Sequence, residues 1–244
     1  MSITWSIAKR ELKGYFGSPV AYVFIVLFLI LSGFFTFQVS RFYEARQANL
    51  NAFFIWHQWL YLFLVPAITM RLWSEERRNK TVEVLLTLPV TTWQAVFGKF
   101  LAAWIFIGIA VLLTFPMIIT VYYLGNPDIG PIITGYLGTL LLAATYLAVG
   151  IFASAITRSQ VISFIIGLVL CLFFVLVGWP PISAALQDYL PQAVVNFITG
   201  MSFTSHFDSI RIGVIDTRDI IYYVTFITFM LCTTTAVLNN RRAN

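Results

Sequence analysis

The chain has 244 residues, 59% of them apolar and 10% charged, where a soluble domain carries about 25% charged residues. Its 15 Lys and Arg with 10 Asp and Glu cannot cover a water-soluble globule of this length. The composition equally excludes a disordered chain and a disulfide scaffold.

Lipid is therefore the solvent to reason from. Six windows contain no Asp, Glu, Lys or Arg: 14–40, 47–70, 100–127, 129–157, 159–187 and 220–240. A bilayer core of about 30 Å takes roughly 20 helical residues to cross, and a helix satisfies its own backbone polar groups where lipid cannot. The windows predict six spans, near Val20–Phe37, Phe53–Leu72, Leu101–Leu124, Ile132–Thr157, Val161–Trp179 and Ile220–Leu238. They are solidly apolar and do not alternate, which speaks against a β-barrel. The expected fold class is an all-α membrane protein with six transmembrane helices.

In residues 1–18, Ile3, Trp5, Ile7, Leu12 and Tyr15 interleave with Lys9, Arg10, Glu11 and Lys13. This reads as an amphipathic interfacial helix, apolar side down, with Trp5, Lys9, Arg10 and Lys13 at the headgroups; the plain alternative is a frayed terminus. The apolar run that follows is too long for a signal-peptide core, and Thr36–Ser40 is not a small-x-small cleavage site, so it is kept as a span. In span two, His57 and Gln58 lie toward one end. They read either as interfacial polar groups beside Trp56 and Trp59 or as a metal or proton site. Pro66 is expected to kink that span.

Residues 71–99 form the long loop between spans two and three. A mixed-charge run, Arg71 to Lys80 with Glu75, Glu76, Arg77 and Arg78, leads into Thr81-Val82-Glu83-Val84-Leu85-Leu86-Thr87-Leu88-Pro89. This is a short helix that Pro89 ends, with Val82, Leu85 and Leu86 on one face. Thr91-x-x-Gln94 is a capping box that starts a new helix carrying Lys99 into span three. The loop thus reads as a folded surface.

Gly125 to Pro131 is a tight turn between spans three and four. Span four contains Gly150-x-x-x-Ser154, a small-xxx-small pair that lets helices approach closely. Residues 180–219 open with Pro180-Pro181 and mix Asp188, Asp208, Arg211 and Asp216 with Val194, Val195, Phe197, Ile198 and Phe203. Such a stretch is too apolar for a solvated loop, and two short amphipathic helices are expected, bent at Gly200 and Ser202. They would serve as an outer gate or docking site built on Val194, Phe197, Phe203, Asp208 and Arg211. Asp216 and Thr217 should cap the last span.

Six spans put both termini on one side. If that side is the cytoplasm, eleven Lys and Arg lie inside and four outside (Arg41, Arg46, Arg211 and Arg218), as the positive-inside rule requires. The net charge of +5 needs only anionic lipid as a partner, not nucleic acid. No span carries a charged side chain, which argues against an ion-coupled pump. No HExxH, GxSxG or Cys-rich cluster is present. Gly98-Lys99 fails the phosphate-loop pattern, because Trp93 stands five before Gly98 and Phe100 follows Lys99. The sequence offers no catalytic residue, metal site or nucleotide motif.

The stretch from Glu75-Glu76-Arg77 through Lys80-Thr81-Val82-Glu83-Val84-Leu85-Leu86-Thr87-Leu88-Pro89 to Gly98-Lys99 resembles the cytoplasmic loop of ABC-2-type transporter permeases. It departs from their pattern at Lys80, where the family often has Gly. The order of an N-terminal amphipathic helix, six spans and long loops after spans two and five is similar along the whole chain. His206 to Asp216 with Arg218-Asp219 resembles permeases of the gliding-motility GldF and copper-system NosY kind. The resemblance implies a type V exporter-like permease fold (1–18 interfacial, 19–244 transmembrane) in the bacterial inner membrane. It implies pairing with a second permease copy or a similar permease, and a separate ABC ATPase subunit that holds ATP and Mg. Glu75, Glu76, Arg77, Thr81, Glu83, Leu85, Leu86 and Pro89 would couple to that ATPase. The chain would serve export or force transmission to a partner with a large extracytoplasmic domain. A non-transporting membrane scaffold is the alternative, and a membrane-embedded hydrolase a remoter one.

Overall fold

The computed structural model describes residues 3–44, 48–79, 90–188 and 191–240. The described residues are helical, with no strand among them. In chain order the helices are α1 (Ile3–Phe16), α2 (Pro19–Phe34, continued by a π turn over Phe35–Val39), α3 (Asn51–Thr69), α4 (Ser74–Arg78), α5 (Thr92–Leu112), α6 (Pro116–Leu124), α7 (Ile129–Ile156), α8 (Gln160–Leu176), α9 (Pro180–Gln187), α10 (Gln192–Thr199), α11 (Phe203–Arg211) and α12 (Thr217–Asn240).

The fourth apolar window becomes the central post. Helix α7 runs for 28 residues, about 42 Å at 1.5 Å per residue, and α3, α5, α8, α11 and α12 all pack on it. Its small residues decide this. Between helices in lipid the approach distance is set by side-chain bulk, so Gly and Ala admit neighbouring backbones. A Cβ on Gly150 would collide with the Thr69 side chain of α3, and one on Gly135 with the Phe54 ring. At Gly138 it would lie 2.7 Å from Ile210 of α11. Helices α2 and α12 lie at the periphery with wide exposed apolar faces, such as Val23, Val26 and Ile30 on α2 and Ile221, Val224 and Phe229 on α12.

Local chemistry places the breaks. Thr91 and Gln94 form the reciprocal capping box at the start of α5. Asp128 accepts the Gly130 N–H at the start of α7, and Asp216 the Arg218 N–H at the start of α12. The third apolar window is not one continuous helix: it stops at Leu112 and restarts at Pro116, a residue that cannot donate to the preceding turn. The fifth window is also shorter than expected. Helix α8 ends at Leu176, and α9 follows after a bend of 65°. The cause is Pro180-Pro181, which drives Trp179 out of the helical region to φ −72°, ψ 128°. By length and composition five helical segments can cross a membrane, or six if the bent α8–α9 pair counts as one.

Among its described residues the segment 180–219 holds three helices of 8, 8 and 9 residues where two short amphipathic helices were expected. Ser202 caps α11, accepting the Thr204 N–H. Gly200 has φ −65°, an ordinary right-handed value, so the bend there does not draw on glycine's freedom. Helix α11 packs on α7, α8, α12 and α3. His57, expected near an interface, is wholly buried in α3, its Nδ1 2.9 Å from the Phe53 carbonyl and its ring among Phe28, Phe53 and Tyr61.

Candidate coupling site

At Thr69 helix α3 breaks, and the reason lies in α7. The Ser154 hydroxyl accepts the backbone N–H of Trp73 and of Ser74, at 3.0 and 3.1 Å. It donates to the Met70 carbonyl at 3.2 Å, to which the Ser74 hydroxyl also donates. Donors that would have continued α3 are drawn away by another helix, and α4 starts in a new direction. Arg77 of α4 donates to the Ala155 carbonyl, again on α7.

Helix α4 then meets α1 and α5 at one ammonium. Lys99, in the second turn of α5, is 2% exposed. Its Nζ lies 2.7 Å from Glu76 Oε1 of α4 and 3.4 Å from Glu11 Oε1 of α1, and 5.2 Å from the centroid of the fully buried Trp73 ring. Glu11 is shared with Arg10 at 3.0 Å. Gly98 makes this possible: a Cβ there would stand 2.9 Å from Ile7 and 3.1 Å from the Thr4 carbonyl, so α1 can lie against α5 only because that side chain is missing. Tyr15 at the far end of α1 stacks on Phe106 of α5 at 5.1 Å, and burial, with Glu11 nearby, pushes its phenol pKa up. The same end of the bundle receives the C-terminal helix, for Thr92 donates to Asn239 at 2.6 Å. An ammonium out of water is tolerable only with such partners; here it joins three elements distant in sequence.

The family model described as ABC-2 family transporter protein matches residues 5–238. The chain belongs to the ABC-2 transporter family. Comparison with curated proteins gives no match. Membership fits the multi-pass helical architecture and marks the chain as a transporter membrane domain of a kind that works with an ABC ATPase.

Within this ABC-2 chain the expected coupling residues fall in different places. Glu76 is in the Lys99 knot, and Arg77 is tied to α7. Glu75 is exposed. Thr81, Glu83, Leu85, Leu86 and Pro89 lie outside the described residues. On α1, Trp5, Lys9, Arg10 and Lys13 are exposed and Ala8 is buried. In the segment 180–219 Val194 and Phe197 are exposed. Arg211 donates to Asn51 and, at 3.1 Å, to Asp208. Phe203 needs correcting. It is 0% exposed, stacked on Phe174 at 5.0 Å with Tyr146 and Phe226 around it, and is a packing residue rather than part of an exposed docking face. His206, for which no partner was read, bridges Asp219 at 2.6 Å and the Gly200 carbonyl at 3.0 Å. Ser209 donates to the same carboxylate at 2.6 Å.

Lys99, Glu11, Trp73 and Ser154 are the residues that sequence reasoning did not assign to this site. A signal existed for two of them: Lys99 is a lone cation entering an apolar helix, and Ser154 is the polar member of the small pair in span four.

Proposed function

We propose that this chain is the permease subunit of an ABC transporter, and that the Lys99 knot passes the movement of a separate ATPase subunit into the spans. The buried ammonium carries the reading. Any push on α4 pulls Glu76 against Lys99, and Lys99 moves both α5 and, through Glu11, α1. In this scheme the ATPase, which holds ATP and Mg, docks on the segment from Glu75 through Pro89. Charged groups would set orientation at the rim, and Leu85 and Leu86 would fill its centre. The chain catalyses nothing itself.

The bent α8–α9 pair counts as the fifth of six spans, and α1 lies in the membrane interface with its exposed cations at the headgroups. Both termini face the cytoplasm of a bacterial inner membrane, in keeping with the basic asymmetry. Two permease copies pair, and the outer helices with Val194, Phe197, Asp208 and Arg211 meet a partner outside, in export or in force transmission of the gliding-motility kind. The test is co-purification of the ATPase with the tagged chain from its native membrane. Glu83→Ala and Leu86→Asp should leave insertion intact and lose the ATPase or its coupled activity. Full retention of both by both variants would refute the docking assignment.

A further inference from the structure

A cleft of about 530 Å³ opens between α1, α2, the end of α3 and α4. Its wall is apolar on the side of the spans, with Val23, Leu27, Leu64 and Ala67. Val23 is 64% exposed, so the cleft is continuous with the outer face of α2. The other end is polar, with Glu11, Tyr15, Arg71 and Glu75. This graded polarity matches an amphiphile, with a chain along the spans and a head at their polar ends.

The polar end also limits the head. Lys99 lines it but is already held by Glu76 and Glu11. Arg71 and Glu75 are one helical turn apart, and i, i+4 pairs of this kind commonly join. Here they make no ion pair among the described residues. The Tyr15 hydroxyl is buried and has no hydrogen-bond partner among the described residues, a state that costs free energy unless a ligand completes it. One unengaged cation, one unengaged anion and one orphan hydroxyl thus share one end of the cleft. Three carboxylates (Glu11, Glu75, Glu76) stand there against two cations (Arg71, Lys99), so a net-negative head is disfavoured.

We propose that this cleft binds a zwitterionic glycerophospholipid with an amine headgroup. Its phosphate accepts from the Arg71 guanidinium and the Tyr15 hydroxyl, and its ammonium donates to Glu75. One acyl chain lies between α2 and α3. The volume is that of an ordinary small-molecule site, enough for the head and the upper part of one chain. Glu75 also opens the docking segment proposed above, but the site is argued from the cleft alone and its label is read without the ATPase.

The experiment uses the full chain in nanodiscs with a trace of phosphatidylethanolamine or phosphatidylglycerol carrying a diazirine high on one acyl chain, the labelled peptides being mapped by mass spectrometry. Phosphatidylethanolamine should label residues 20–27 and 64–68 about tenfold more than phosphatidylglycerol does. The two lipids should label the exposed α12 face at Ile221 and Val224 alike. Arg71→Gln and Ala67→Trp, the second a plug in the apolar wall, should each remove most of the cleft label. Tyr15→Phe should weaken it severalfold. Unchanged α12 labelling shows that each variant is inserted and folded. Equal labelling of the cleft by both lipids, a preference for phosphatidylglycerol, or cleft label undiminished in Ala67→Trp would overturn the proposal.

Discussion

Lys99→Met removes the ammonium while keeping an unbranched chain of similar reach. Glu76 and Glu11, with side chains 22% and 20% exposed, are then left facing each other and the Trp73 ring without their shared cation. Removing one partner of a buried pair costs about 3–5 kcal/mol. The residual exposure of both carboxylates lets water screen part of that loss, so about 2–3 kcal/mol is expected. For a chain of this length each kcal/mol moves a melting midpoint by about 2–4 °C, so the midpoint in detergent should fall by roughly 4–12 °C. Glu76→Gln should cost less, because Lys99 keeps Glu11 at 3.4 Å. Glu11→Gln should cost least, since it is the longer contact and is divided with Arg10. In the double variant Lys99→Met/Glu76→Gln the losses should fall short of the sum by about 1–2 kcal/mol, the signature of residues in one network. The assay is thermal unfolding of the parent and the four variants with ATPase activity of the complex measured alongside. A midpoint within about 1 °C of the parent for Lys99→Met, or strict additivity in the cycle, would refute the knot as a coupled unit.

Three further outcomes follow from the packing and the charges. Gly150→Ala should destabilise by about 1–3 kcal/mol through overpacking against Thr69, and Thr69→Ala in the same chain should recover part of it, read as folded yield and melting midpoint. In a chain stripped of Cys171 and Cys232, a cysteine at Asp188 should react with an impermeant thiol reagent from outside and one at Lys80 should not; the reverse labelling would invert the topology. Asp219→Asn weakens the contacts to both His206 and Ser209, so amide exchange over 203–211 should quicken by about one order of magnitude, and an unchanged rate would show that the carboxylate does not hold α11.

The spans were legible because lipid imposes a coarse rule: a helix that crosses it must be apolar for about 20 residues. That rule sees neither breaks nor company. Pro116 lies inside an uninterrupted apolar window, and only its missing N–H ends α5. The turn after Thr69 was invisible because its cause, Ser154, stands 81 positions away from Trp73. Lys99 was placed on the helix entering span three, but its burial was invisible, since burial of a charge is decided by partners on other helices. Phe203 was assigned to the outer surface on composition alone, though it lies between the polar Ser202 and Thr204 and packs inward. What the small residues of span four did announce, at Gly150 and Ser154, was close approach; which helix approaches had to come from the structure.

Ser154 gives the loop after α3 an unusual mechanical character. Three backbone groups of one turn, the Met70 carbonyl and the N–H groups of Trp73 and Ser74, converge on one hydroxyl oxygen of the most buried helix. Lifting α4 off α7 must break all three contacts together. Turning α4 about that oxygen can keep all three, because a hydroxyl rotor follows its partners at little cost. Rotation is therefore the softer coordinate and translation the stiffer one, with the Arg77 contact to the Ala155 carbonyl limiting the swing. The turn behaves as a pivot, and Glu76, in the middle of α4, sweeps an arc about a fixed point in the central helix.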